Sequence, residues 1–328
     1  MRAGVSALWR VAAAGGEPQR LTVGSENSYW PAVSRKGDRL AYVQSTLDFN
    51  IWRVAVPGAG AGDPAAAPIR ITHSPLWDNT PAFSPDGQKV AWVSNHSGSY
   101  EVWICGSDGS QPTRLTSLGL DVLWPQWSPD GRQIAFSSST GGPAHVYVIA
   151  AEGGAPRRLT TGDFPEVGAS WSRDGQWVYF TSNRGEGSAV WKVPAGGGSP
   201  VLVARKGFRP VLEPFDGRFV FYTGPDGQIW KVPVAGGEPA QALKKSKRAF
   251  WTLSASGIYI LDPDGDGGPA IESFPFAPSQ RRQILKLAGG PDDYLLLGGL
   301  AVSPDGRWIL YERRDRTESD IMLVENFR

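Results

Sequence analysis

The sequence predicts an all-β fold: a seven-bladed β-propeller of four-stranded antiparallel blades, with the last blade closed by an N-terminal strand. Three observations predict it. A Ser-Pro-Asp-Gly tetrapeptide recurs at Ser84–Gly87, Ser128–Gly131 and Ser303–Gly306, with Ser172-Arg173-Asp174-Gly175 as a near copy and looser copies ending at Gly37, Gly217 and Gly257. Successive terminal glycines lie 40 to 50 residues apart, the length of one propeller blade. Between them run short β-branched and aromatic segments bounded by Gly and Pro, and no stretch keeps a 3.6-residue apolar period over three turns.

Each element of the repeat has a physical reason. The tetrapeptide is a turn: proline presets φ at its first corner, aspartate bonds the backbone that follows, and glycine takes the left-handed closing position. Its aspartates therefore read as turn residues rather than catalytic carboxylates. An inner strand, A, precedes the turn. Strand B follows it, as in Val90-Ala91-Trp92-Val93, Ile134-Ala135-Phe136-Ser137 and Val178-Tyr179-Phe180-Thr181. After a variable loop comes strand C with an aromatic second residue, as in Ile51-Trp52-Arg53-Val54, Val102-Trp103-Ile104-Cys105 and Ile229-Trp230-Lys231-Val232. A Gly-rich turn then leads to an outer strand D opened by proline, at Pro18, Pro68, Pro112 and Pro156. Proline at the start of an edge strand costs no ladder bond and discourages sheet-to-sheet association. Asp292–Leu297 is expected to form one short helical turn. Most of the 14 tryptophans recur at equivalent strand positions and are expected to pack between blades.

The final repeat supplies A, B and C strands, the last at Ile321–Val324, and lacks a D strand. Pro18–Thr22 is expected to provide it and so close the ring. The chain then reads as one propeller domain over residues 1–328. A C-like segment near Trp9 is left over, so residues 1–17 are either a surplus outer strand or the remnant of a longer chain.

Composition narrows the function. Lys+Arg number 33 against Asp+Glu 32, a balance that offers neither nucleic acid nor an anionic membrane an electrostatic footprint. The densest basic run, Lys244, Lys245, Lys247 and Arg248, reads as a solvated loop. The single cysteine, Cys105, allows no intrachain disulfide and reads as a buried thiol. No apolar run approaches the ~18 residues of a membrane span, and Met1–Arg10 lacks a signal-peptide h-region.

The unit Pro81-Ala82-Phe83-Ser84-Pro85-Asp86-Gly87, continued by Val90-Ala91-Trp92-Val93-Ser94 and Thr113-Arg114-Leu115-Thr116, resembles the WD-repeat-like unit of bacterial TolB propellers. The resemblance is strongest in the blades turning at Gly87, Gly131, Gly175 and Gly306 and weakest over residues 208–290. The stretch from Gly299 to Arg328 is similar to the C-terminal end of propellers attached to winged-helix regulators and Ser/Thr kinases. This implies a protein- or peptide-binding or sensor module, periplasmic if it follows TolB or membrane-tethered sensors; a monomer is expected.

Motifs that carry chemistry are few. Gly197-Gly198-Ser199-Pro200-Val201 fails the G-x-S-x-G elbow of propeller-bearing peptidases at its last position. His73, His96 and His145 lie in three different repeats without zinc-ligand spacing. Asp262, Asp264 and Asp266, before Gly267, match the first half of a calcium loop. Position twelve, however, is Ser273 and no helix flanks the loop, so it reads as a polar loop. No cofactor is expected.

Function is therefore expected on the face carrying the D–A and B–C loops, where a rigid scaffold presents variable residues. The residues just before the inner strands are Tyr29, Trp30, Asp78, Asn79, Trp124, Glu166, Arg209 and Phe250. They form the expected binding rim of the channel mouth, with Trp30 and Trp124 at equivalent sites that interblade packing would equally explain. The expected role is non-enzymatic binding of a protein or peptide. Two alternatives stand beside it: a lactonase- or glycosidase-like hydrolase using channel carboxylates such as Asp78 and Glu166, and a sensor fragment of a larger regulator or kinase.

Overall fold

The computed structural model describes residues 7–23, 27–60, 67–139, 141–214, 216–245, 250–276, 281–294 and 299–327. Lys247 and Arg248 of the basic run, and residues 295–297 of the expected helical turn, lie outside these; Pro291–Tyr294 forms a 3-10 turn. Among the described residues every other regular element is a β-strand, and these strands form seven antiparallel sheets.

Five blades follow one another along the chain, each with strands A to D in spatial order. Their inner strands are Asp78–Phe83, Asp121–Trp127, Glu166–Trp171, Phe208–Leu212 and Phe250–Leu253 (blades 1 to 5). Six of the seven sheets form the ring, the seventh being a small N-terminal sheet, and the sixth blade, shared between the first and last repeats, closes it. Its A strand is Leu300–Val302, its B strand the start of Trp308–Glu325, its C strand the end of Arg39–Ala55, and its D strand Ile69–Arg70. Leu300–Val302 packs against the inner strands of both blade 5 and blade 1.

N-terminal strands thus close the last blade, as the repeat requires, but they are not the strands expected. Residues 51–55 pair with 308–312, and Ile69–Arg70 takes the D position assigned to Pro18–Thr22. The two B–C hairpins of the first and last repeats are opened out. Arg39–Ala55 and Trp308–Glu325 run on as one long ribbon, in which residues 39–45 pair with 319–325. Ser28–Val33 joins the outer part of this ribbon, so the A and B strands of the first repeat lie outside the six-strand lining of the channel. Trp9–Arg10 pairs with Gln19–Arg20 in a separate small sheet. Leu8, Leu21 and Val23 pack with Leu40, Tyr42, Val324 and Phe327.

The turn chemistry is as the tetrapeptide dictates. Ser84, Ser128, Ser172 and Ser303 donate to the aspartate two residues on at 2.5–2.6 Å. Each hydroxyl also accepts the backbone N–H five residues on, at 2.9 Å. The serine hydroxyl first, and then a backbone N–H, hold the Asp86, Asp130 and Asp174 carboxyls below the usual range.

The threonine ending three of the Leu-Thr and Ile-Thr pairs has a comparable task. Thr72, Thr116 and Thr160 accept the N–H of Ile51, Val102 and Val146 at 2.9–3.0 Å, clasping the chain beyond D onto the start of C. Three indoles join neighbouring blades. Trp127 donates to the Ala82 carbonyl, Trp171 to the Gln126 carbonyl and Trp251 to the Thr223 hydroxyl, at 3.0–3.2 Å. Apolar clusters fill the space within and between the blades, and their burial is the driving force for stacking them. Cys105 is buried in one of these clusters.

Candidate functional site

The inner strands share an irregularity that shapes the channel. In blades 1 to 4 the A–B register slips at Asn79/Ala82, Leu123/Gln126, Val167/Ser170 and Phe208/Val211. The first repeat slips likewise at Tyr29/Ala32. Three of these bulges hold a non-glycine residue in the left-handed region, Trp30 (φ 50°), Thr80 (φ 50°) and Trp124 (φ 54°), and Gly168 (φ 73°) holds it in blade 3. Such a conformation is sparsely populated for bulky residues, and a bulge re-aims the side chain it carries. Thr80, Trp124, Gly168 and Arg209 all line the channel.

The channel encloses about 610 Å³ and takes its walls from the six inner strands. Arg209 leaves blade 4, crosses Gly168 of blade 3 and lays its guanidinium 3.7 Å from the Trp124 ring centroid in blade 2. Glycine is what permits the crossing, since a Cβ on Gly168 would lie 2.8 Å from the Arg209 Cβ. Burial draws the Arg209 guanidinium down to about 10, with the Glu312 carboxylate pulling the other way. Glu312 in turn accepts the bulged Thr80 N–H at 2.5 Å, and a Cβ on Gly299 would collide with its carboxylate. Phe208, Phe250 and Lys245 complete the aromatic and cationic part of the wall. Glu213 also lines the channel; it accepts the Tyr179 hydroxyl at 2.8 Å, and burial pushes its carboxyl up.

Of the eight rim residues expected, three therefore line the channel: Trp124, Arg209 and Phe250. The other five do not. Trp30 is 80% exposed, and with Tyr29 it belongs to the outlying strand Ser28–Val33. Asp78 and Asn79 are buried within blade 1. Burial raises the Asp78 carboxyl to about 6 against hydrogen bonds from Ser94 and Thr72. Glu166 is buried too, paired with Arg184 and 2.9 Å from His145 Nδ1. Its carboxylate ties blade 3 to blade 2 instead of facing the channel. All three precede the bulges of blades 1 and 3, and it is the bulged residues Thr80 and Gly168 that line the channel there.

Phe208, Glu213, Lys245 and Glu312 escaped the sequence reading. A signal for the bulge was present in X-Pro pairs inside A strands: Trp30-Pro31, Thr80-Pro81, Trp124-Pro125 and Arg209-Pro210.

Asp262, Asp264 and Asp266 stay close to a turn. Asp262 Oδ1 accepts the Asp264 N–H at 3.0 Å, and Gly268 N–H bonds the Gly265 carbonyl. The charge of Asp262 acts on both Arg281 and Lys245, and that of Asp266 on Arg281. Among the described residues no three His, Cys, Asp or Glu side chains are grouped to hold a metal ion, and no helix is long and apolar enough to cross a membrane.

The profile of the TolB β-propeller domain matches residues 71–236, half of the chain. The chain belongs to that family. Among solved structures, putative TolB from Agrobacterium tumefaciens is similar at 19% identity and a TM-score of 0.67, over 83% of this chain and 99% of that one. A chain of a nidogen/laminin complex is similar at 13% identity and TM-score 0.55, over 73% of this chain and 94% of that one. Oligogalacturonate lyase from Vibrio parahaemolyticus is similar at 14% identity and TM-score 0.51, over 80% of this chain and 77% of that one. At these identities the likenesses bear on the fold. A comparison with curated proteins finds no match.

Proposed function

We propose that this TolB-type propeller is a non-enzymatic binding module that receives a protein or peptide segment at the channel mouth. The observation that carries the reading is the channel wall, where Trp124, Arg209, Phe208 and Phe250 meet around one opening. Aromatic and arginine side chains dominate binding energy in typical interfaces, and a preformed concave site spares the cost of ordering them. Selection from a random dodecapeptide display library tests it. Selected peptides should lose about 30-fold or more in affinity on Trp124→Ala, Arg209→Ala or Phe250→Ala. Trp30→Ala, on the outlying sheet, should change nothing. Peptides indifferent to all three channel variants would move the site elsewhere.

A second reading, a channel enzyme acting on a carbohydrate, draws on Glu213, a carboxyl pushed up by burial in the channel wall. The likeness to oligogalacturonate lyase gives it a substrate class to try. Turnover of oligogalacturonate abolished by Glu213→Gln would replace the first reading with this one.

A further inference from the structure

Resting on the peptide-binding reading, we infer that the channel holds a seat for a single carboxylate, with Arg209 as its anchor. The ligand would be a peptide that carries the carboxylate beside an apolar side chain.

Three features of the wall lead there. The first is that Arg209 is a cation already oriented. Its stem is laid across Gly168 and its guanidinium carbon is held over the Trp124 ring. Stacking uses the face of the guanidinium and leaves its in-plane N–H donors available. The second is that among the described residues no carboxylate forms an ion pair with Arg209 and no acceptor takes a hydrogen bond from it. Most other partly buried arginines of the protein are matched. Arg184 pairs with Glu166, Arg313 with Asp315, and Arg314 with Asp293. A guanidinium in a partly desolvated channel gains most from a bidentate anion, and a carboxylate has that geometry.

The third feature is the local charge, which selects the kind of anion. The Glu312 carboxylate acts on Arg209 and is fixed by the Thr80 N–H. Its repulsion grows with ligand charge, so a doubly charged phosphate suffers more than a carboxylate. Lys245 adds a second cation to the wall. Around the seat, Phe208, Phe250 and Trp124 present apolar surface suited to a hydrophobic side chain next to the carboxylate. That surface favours a peptide over a sugar acid.

The carboxylate can come from a glutamate or aspartate side chain or from a chain end, and three dipeptide probes separate these sources. Acetyl-Phe-Glu-amide carries it on the side chain. Acetyl-Phe-Gln with a free C-terminus carries it on the backbone. Acetyl-Phe-Gln-amide carries none. Ligand-observed NMR titrations at low salt are expected to show at least one acid binding about tenfold or more tightly than the neutral amide. Arg209→Gln should erase that preference, and Arg209→Lys should retain part of it. The comparison of probes on the unaltered protein does not depend on either variant folding.

Equal affinity of the three probes would overturn the carboxylate seat while leaving the peptide reading intact, provided display-selected peptides still depend on Trp124 and Phe250. Tighter binding of inorganic phosphate or galacturonate than of either acid would also overturn it. Failure of all probes to bind at millimolar concentration, together with an empty display selection, would remove both readings.

Discussion

Ile51 and Ile321 are equivalent in the repeat pattern, each opening a C strand, and the tertiary structure gives them opposite environments. Ile51 is fully buried among Ile71, Val90, Trp92, Cys105, Ala301 and Leu310. Ile321 is 81% exposed on the outer part of the ribbon. Truncating a buried isoleucine forfeits the transfer energy of its lost methyl and methylene groups and leaves a cavity, so Ile51→Ala should cost about 2–5 kcal/mol. Ile321→Ala removes little buried surface and should stay within about 0.5 kcal/mol. Urea titrations followed by circular dichroism give both values, and similar m-values would show that the denatured states are comparable. The strand exchange can be probed directly as well. Ser45 and Ser319 are register partners with hydroxyls 2.8 Å apart, so the double variant Ser45→Cys, Ser319→Cys should form a disulfide under mild oxidation. Cys105 will not compete, since burial pushes its thiol up to about 12. Equal destabilisation by the two alanine variants, with no cross-link, would refute the exchange and return residues 321–324 to a buried C strand.

Two further outcomes follow from electrostatics. Burial raises the Asp78 carboxyl from 3.8 to about 6, so folding favours its protonated form. Stability is therefore lost as pH rises from about 4 through 6, by about 3 kcal/mol when ionisation is complete. Asp78→Asn should raise the melting temperature at pH 7.5 and flatten the profile between pH 4 and 6; parallel profiles for the two proteins would contradict this. At the Asp262–Gly267 loop, where Arg281 and Lys245 offset the acids, calorimetry should detect no specific calcium binding. Micromolar affinity lost on Asp264→Ala would overturn that expectation.

Much of this protein is written in short stretches of sequence. The Ser-x-Asp-Gly turns need only partners within five residues, so the tetrapeptide specifies them wherever it occurs. The repeat length and the absence of helical periodicity then leave a propeller as the way to bury aromatic strand faces and remove open edges. Three channel residues, Trp124, Arg209 and Phe250, could be found because each falls within an inner strand. The remaining channel residues could not. Lys245 follows the blade 4 D strand, and Glu312, which acts on the wall through the Thr80 N–H and Arg209, lies in a B strand.

Tertiary structure alone decided two matters. One is which side chain at the start of an inner strand enters the channel. A bulge reverses the alternation of a strand, which sends Trp124 and Arg209 inward and leaves Asp78 and Glu166 inside their blades. The other is which strands close the ring. Residues 40–43, 51–54, 309–311 and 321–324 carry much the same apolar pattern, and any B strand among them can pair with either C strand. Backbone hydrogen bonding does not distinguish such partners. Burial does: pairing residues 51–55 with 308–312 places Ile51, Val54, Ile309 and Tyr311 in the cores beside blades 1 and 5. That gain depends on contacts more than 200 residues apart in the chain, and no local pattern records it.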